Sequence, residues 1–267
     1  MSGAIQIKDK IKRLEQVLND RQTIIARSLP AHVLSPHRFQ QVMLTACSMN
    51  PMLLDCTPAS LIGSIIRGAS LGLDPEPALG QMYLVPFKNV VQLIVGYKGL
   101  VNLAWQSGSL ATIGARAVVS GDVFEVELGT DERLVHRPPM KRDANAPFTH
   151  FYAVASVIGT NQKMFEVMEL EEVKAIRDRS PSARKGGGPW ATDFEIMARK
   201  TVLRRLCKVL PQSTEKSAPL QRAIHHDERA ELGLRQNNEE LLDMEPGEDP
   251  EMTEQELADA AREAEKK

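Results

Sequence analysis

An α+β fold is predicted for this 267-residue chain, and three features of the sequence predict it. The first 73 residues place apolar side chains at helical spacing. After Leu73-Asp74-Pro75 the pattern changes to short runs rich in Val, Ile and Tyr, each bounded by turn residues. Helical spacing then returns at about 169–178 and 192–210. The expected architecture is a helical N-terminal region, a central strand-rich core with flanking helices, and a disordered acidic C-terminal tail.

Taken in order, residues 4–28 set Ile7, Ile11, Leu14, Leu18 and Ile25 between charged positions, which predicts an amphipathic helix closed by Pro30. Ser35-Pro36 and Thr57-Pro58 each supply a capping hydroxyl followed by proline at the first helical position. They open helices near 36–48 and 58–71, with Gly72 as the stop of the second. Strands are expected at Met82–Phe87, Val90–Gly96, Arg116–Val119, Val123–Leu128, His150–Ile158 and Met164–Met168, separated by turns such as Ser120-Gly121-Asp122 and Gly159-Thr160-Asn161. Tyr97–Gln106 has helical spacing, with Leu100, Leu103 and Ala104 on one side. Residues 129–147, which include RPPMKRDANAP, read as a long exposed loop. Beyond 226 aromatic residues vanish and acids dominate, with Pro246-Gly247 as a breaker and one further helix possible at Met252–Ala264. The expected organisation is a body, 1–226, made of a helical part (1–73) and an α+β core (74–226), followed by a flexible tail, 227–267.

Charge is distributed unevenly. The chain holds 33 Lys+Arg and 35 Asp+Glu, a net of −2, yet residues 227–267 hold 15 acids and 5 bases. The remaining 28 bases and 20 acids leave the body at +8 and the tail at −10. A basic body joined to an acidic arm points to a nucleic-acid binder. Hydrophobic content of 42% and charged content of 25% are ordinary for a globular protein, while aromatics are scarce at 4%, so each Trp or Tyr near cations carries weight. Cys47, Cys56 and Cys207 follow no CxxC spacing and sit among apolar residues, which suggests buried thiols in a reducing compartment. The amino terminus lacks an apolar signal core and no run of about 18 apolar residues occurs, so a cytoplasmic protein with no membrane contact is expected.

The cations concentrate in residues 174–208, with ten Lys/Arg against three acids. Lys200, Arg204 and Lys208 fall at i, i+4, i+8, a row suited to phosphates, with Thr201 and Arg205 on the same arc. Ile196, Leu203, Leu206, Cys207 and Leu210 define the opposite, apolar arc, extended by Ala198, Val202 and Val209. Basic residues on the wet face of a helix often serve solubility alone, but no acid interrupts Ile196–Leu210, and a merely solvated face normally mixes signs. Arg199 falls inside the apolar arc, where a guanidinium requires a carboxylate, a phosphate or a subunit contact.

Upstream, SPSARKGGGPW joins Arg184 and Lys185 to three glycines and Trp190. Glycines let backbone amides approach phosphate, and an indole offers a base a stacking surface; the other reading is a mobile connector, expected at Gly186–Gly188, with Trp190 plugged into the core, and for Trp190 the sequence leaves both readings open. Gly96-Tyr97-Lys98-Gly99 sits where a strand meets a helix, a turn able to hold phosphate on its amides and Lys98 or simply to turn the chain. Gln92 is polar within an apolar strand and faces either a groove or a solvated sheet surface. Arg116, opening its strand, completes the candidate cations.

Enzyme signatures fail on context. Gly68-Ala69-Ser70-Leu71-Gly72 matches G-x-S-x-G at the end of a helix, where a nucleophile elbow needs a strand-to-helix turn. Glu172-Val173-Lys174 resembles a nuclease E-x-K but lies in a helix. The six histidines make no metal-binding spacing, and no G-x-x-x-x-G-K-[ST] occurs, which argues against a P-loop ATPase. No catalytic residue, metal or cofactor is expected.

One longer pattern is more specific. In order along the chain stand Leu71-Gly72-Leu73-Asp74-Pro75, then Ala78-Leu79-Gly80-Gln81-Met82-Tyr83-Leu84-Val85-Pro86-Phe87, then Val91-Gln92-Leu93-Ile94-Val95-Gly96-Tyr97-Lys98-Gly99. Gly121-Asp122, His136-Arg137-Pro138, Tyr152-Ala153-Val154-Ala155 and Phe165-Glu166-Val167-Met168 follow. Pro189-Trp190, Met197-Ala198-Arg199-Lys200-Thr201 and Arg204-Arg205-Leu206 close the series. It closely resembles the RecT family of phage and prophage recombinases from about residue 60 to 223. The resemblance implies an ATP-independent single-strand annealing protein in homologous recombination. Such a protein is a homo-oligomer, ring or helical filament, that coats single-stranded DNA from a partner phage exonuclease and forms an annealed duplex intermediate. Flanking helices lining a basic groove are implied as well. The turn Lys88-Asn89 is short where some relatives carry a lysine-rich insertion. The expected DNA contacts are Gln92, Tyr97, Lys98, Arg116, Arg184, Lys185, Trp190, Lys200, Arg204, Arg205 and Lys208, with Arg199 assigned to a structural or subunit contact. The acidic tail is expected either to shield the groove between encounters or to dock the exonuclease and a host single-stranded-DNA-binding protein.

Overall fold

Helix caps and apolar spacing organise the first part of the chain. The computed structural model describes residues 2–29, 34–160, 163–211 and 214–238. These form two compact units, one from residues up to Gly99 with those from Arg222 onward, the other Leu100–Gln221.

In the first unit, α1 (Ser2–Asp20) and α2 (Gln22–Ser28) replace the single helix expected over 4–28. The backbone leaves helical geometry at Arg21 (φ −106°, ψ 11°), yet Arg21 N still donates to Val17 O and Ile25 N to Arg21 O, so the break is a kink. α3 (Pro36–Met49) and α4 (Pro58–Ser70) start where the proline-led caps place them. Ser35 Oγ accepts from Arg38 N at 3.3 Å and Thr57 Oγ1 from Ser60 N at 3.4 Å. Their inward faces, with Leu14, Leu18, Phe39, Met43, Ile62 and Ile65, form one apolar core.

Against α4 lies an antiparallel hairpin, β1 (Met82–Phe87) and β2 (Val90–Val95), closed by Lys88-Asn89 with Lys88 at φ 56°. Every other residue of β2 turns its backbone away from β1, and that outer edge is sealed by side chains. Val91 N donates to Ser60 Oγ, and Val91 O accepts from Ser64 Oγ. Leu93 N donates to Gln236 Oε1 at 2.8 Å while Gln236 Nε2 donates to Leu93 O at 2.9 Å. Val95 N donates to Asp227 Oδ1 at 3.2 Å. A bare strand edge buried against helices would strand these groups, and polar side chains replace the missing neighbour strand.

This edge corrects the boundary expected after His226. Helix α10 (Thr214–Glu231) runs through that position, and Asp227, Gln236 and Asn238 are buried. The charge count pointed to a solvated arm because these few polar residues look like any others. The acidic excess itself lies in residues 239–267, with 12 acids and 3 bases. Those residues, including the helix expected at 252–264, lie outside the described residues.

Helix α5, whose range Tyr97–Gln106 matches the expected helix, begins in the last residues of the first unit, and the second unit starts with its Leu100. A three-stranded antiparallel sheet follows, ordered β3 (Leu110–Val119), β6 (Phe148–Val157) and β7 (Lys163–Glu169). β3 begins six residues before the expected Arg116 because the alternation of Ala and Gly there dilutes the apolar signal. The loop expected over 129–147 contains a strand, β5 (Arg133–Arg137), paired with β4 (Val123–Glu127). α6 (Leu170–Arg177), the short α7 (Pro181–Arg184) and α8 (Pro189–Thr192), and α9 (Phe194–Val209) complete the unit.

α9 covers one face of the sheet. Arg199 Nε donates to Ala115 O, Arg205 reaches Glu166, and the Phe151 ring lies 6.1 Å from that of Phe194. Residues in phase with these, such as Ala153 and Ala155, are buried as alternation requires. The β4–β5 hairpin pins one end of the other face: Phe124 stacks on Tyr152 at 5.7 Å, and His136 meets the same ring edge-on at 5.5 Å. With His136 Nε2 donating to Asp122 Oδ2 (2.9 Å), Nδ1 accepts from the Tyr152 hydroxyl (3.2 Å). Arg142 closes on the same buried carboxylate through Nε (3.0 Å) and a second nitrogen.

Candidate nucleic-acid interface

Helix α9 is enclosed on more than its apolar arc. Ala198, Val202, Leu203, Leu206 and Cys207 are buried as expected, but Lys200 and Arg204 are only 6% and 7% exposed. They do not form an open phosphate row. The wheel assigned them to solvent because they lie opposite the apolar arc, whereas burial depends on what packs around the helix. Conversely Ile196 and Val209, placed on the apolar side, are about half exposed. Lys208 is exposed. Arg205 is exposed too, but its guanidinium sits between Glu166 (3.5 Å) and Glu172 (3.3 Å), which offsets its charge. Arg199 is partly buried, donates to the Ala115 carbonyl at 3.1 Å and faces Glu195 one turn back at 3.6 Å.

The segment before α9 is ordered by its own backbone. Gly186 and Gly188 take φ of 70° and 75°, which a β-carbon would disfavour. The amides of Gly186 and Gly187 are spent on the carbonyls of Ala183 and Ser182, so they are not a phosphate cradle. Arg184 and Lys185 are exposed, and Arg184 folds back to donate to Arg179 O. Of the two readings open for Trp190, the structure takes the core one: the indole is 4% exposed and packs beside Phe194 at 5.9 Å. A base has no access to it.

The turn between β2 and α5 is tight for a packing reason. A β-carbon at Gly96 would lie 2.2 Å from Gly80 O, and one at Gly99 would lie 2.1 Å from Gln81 O. Gly96 N donates to Gln81 O at 2.8 Å, so this amide too is occupied. Lys98 is exposed and Tyr97 half-buried. Gln92 is 3% exposed and donates Nε2 to Leu234 O, which removes it from any groove. Arg116 projects from β3 and is exposed, beside Tyr152.

Sequence reasoning missed the exposed tryptophan. Trp105, on α5, is 56% exposed. The spacing that puts Leu100, Leu103 and Ala104 inward turns Trp105 away by about 140° from Leu100, so the helical wheel held the signal. The thiols offer no chemistry. Burial pushes Cys47 up to about 11 and Cys207 up to about 12, keeping both protonated. Among the described residues no group of three or more His, Cys, Asp or Glu is placed to hold a metal ion, and no helix is long and apolar enough to cross a membrane.

Comparison with known proteins gives a consistent result. The model of the RecT family matches residues 37–241. Protein RecT of Escherichia coli (strain K12) is 38% identical over 240 residues, covering 87% of this chain and 85% of that protein. The uncharacterized protein YqaK of Bacillus subtilis (strain 168) is 25% identical over 250 residues, covering 92% of this chain and 80% of its own length.

Proposed function

Since the chain belongs to the RecT family, we propose that it is an ATP-independent single-strand annealing protein. It binds single-stranded DNA as a homo-oligomer and pairs complementary strands during homologous recombination. The family match over residues 37–241 carries this reading. The positive charge of the body and the lack of a P-loop sequence support it.

Annealing requires phosphates to be held while base edges stay free to test a second strand. Exposed Lys98, Arg116, Arg184, Lys185 and Lys208 are the cations for the first task, with Arg205 contributing less because two carboxylates share its charge. Each phosphate contact releases condensed counterions, so affinity falls steeply with salt. No covalent bond is made or broken, and the protein acts by binding rather than as an enzyme. Residues 239–267, acidic by sequence, serve as the docking arm for a phage exonuclease and a host single-stranded-DNA-binding protein. The work takes place in the cytoplasm of a bacterial or phage-infected cell.

The test is annealing of complementary labelled oligonucleotides with no nucleotide triphosphate. Acceleration over the protein-free rate is expected. Strict dependence on ATP hydrolysis, or Mg²⁺-dependent shortening of end-labelled DNA, would overturn the proposal.

A further inference from the structure

The face of the β3–β6–β7 sheet turned away from α9 is covered at one end only. There the β4–β5 hairpin takes up the Tyr152 ring. Toward the other end, Gly114, Val154 and Phe165 lie side by side in register across the three strands. Val154 and Phe165 are half-buried, and a β-carbon built on Gly114 would meet nothing within 4 Å. The hollow is not a packing requirement. Nor is it a backbone one, since Gly114 is not among the positive-φ glycines. A glycine inside a strand costs stability, and with neither reason present it marks a place where another molecule approaches the sheet.

The charges around the hollow have one sign. Arg116 stands two residues along β3 and Lys163 two residues back along β7, on the same face by alternation, and both are exposed. The three strands contain two carboxylates. Glu166 points to the opposite face, where it meets Arg205, and Glu169 lies in the last row beyond Tyr152. Strand spacing puts the two cations about 10 Å apart across the sheet and about 13 Å apart along it. Two such cations, about 16 Å apart on the diagonal with a ring in an open hollow between them, suit a short stretch of extended single strand with one base on the ring and phosphates reached from either side, and a sheet of this size displays two or three nucleotides in other single-strand readers.

Building on the annealing function proposed above, we propose that this sheet face is a base-stacking platform for single-stranded DNA. Phe165 takes a base over the Gly114 hollow, and Arg116 and Lys163 hold the phosphates on either side. Stacking on a ring is indifferent to sequence, as annealing of arbitrary strands requires.

The decisive variant is Gly114→Val in the full-length protein, because it fills the hollow with a residue that strands favour. Melting temperature, particle size without DNA, and salt-dependent affinity for a labelled oligothymidylate are measured, together with Phe165→Leu, Arg116→Ala and Lys163→Ala. Gly114→Val is expected to melt at or above the parent's temperature and to bind about tenfold more weakly, with Phe165→Leu weakened alongside it. Arg116→Ala and Lys163→Ala are each expected to lower the salt slope by about 0.7. Parent-like binding by Gly114→Val and Phe165→Leu would overturn the platform while leaving the annealing function standing, provided the parent anneals. A changed particle size with unchanged affinity per subunit would assign the face to a second copy of the chain and also overturn it. Failure of the parent itself to bind or anneal would refute the functional reading instead.

Discussion

Replacing Gln236 with alanine tests how the segment after α10 holds the first unit together. The Gln236 carboxamide accepts from Leu93 N and donates to Leu93 O, and it also donates to His226 O and accepts from Asn238. Leu93 is fully buried. Gln236→Ala therefore strands one N–H and one C=O of β2 where water has little access. At about 1–3 kcal/mol for each unsatisfied buried group, the cost is about 2–6 kcal/mol. Against a typical stability of roughly 5–15 kcal/mol this is severe, and it corresponds to a melting-point drop of roughly 4–24 °C. Truncation after His226 removes Gln236 and Asp227 together and is expected to destabilise at least as much. Truncation after Asn238 keeps every bond of the sealed edge and is expected to melt like the full chain. Thermal unfolding followed by circular dichroism measures all three, and hydrogen exchange at the Leu93 amide reports the edge directly. Full-length stability after truncation at His226, or unchanged protection of Leu93 in Gln236→Ala, would refute the reasoning.

Other expectations follow from single sites. Arg142 and His136 beside Asp122 hold its carboxyl well below the usual carboxylate range. A depressed folded value means the stabilisation is complete above the unfolded value of about 4 and is lost as pH falls from there toward the folded one, so Asp122→Asn should lower stability at neutral pH and flatten that acid limb in melts across pH. Trp105 is exposed and Trp190 buried, so acrylamide quenching of fluorescence should largely vanish in Trp105→Phe and persist in Trp190→Phe. Trp190→Ala should cost about 3–5 kcal/mol in denaturant melts, because it leaves a cavity beside Phe194. Arg205→Ala should cost under about 1 kcal/mol of stability and change the DNA salt slope less than Lys185→Ala, since Glu166 and Glu172 already share its charge.

What the sequence made legible was local. The Ser35-Pro36 and Thr57-Pro58 starts, the β1–β2 hairpin and the span of α5 follow from caps, alternation and turn residues whose partners lie within a few positions. β5 escaped notice because its five residues, two of them arginine, sit amid proline and charge, and only pairing with β4 makes them a strand. Side-chain surroundings were less legible than elements. Lys200 and Lys208 occupy the same stripe of α9 with the same chemistry, yet one is buried and the other exposed, a difference that no periodicity contains.

The polar residues that close the β2 edge extend the same point. Gln92, Asp227, Gln236 and Asn238 resemble a groove residue and an acidic arm when read by composition, because charge and hydropathy describe a side chain apart from the backbone it serves. In the fold their partners are the backbone or side chains of residues more than 130 positions away, at Leu234, Val95, Leu93 and Ser64. Their role is to supply hydrogen bonds that a missing strand would have made, and such a need arises only once β2 is buried without an outer neighbour. The same logic separates two of the glycine-bearing places considered for DNA. Gly96 and Gly99 are accounted for by carbonyls about 2 Å from any β-carbon. Gly114 has no neighbour to account for it, which makes the open sheet face, and not the strand-to-helix turn, the place where an outside molecule explains the residue.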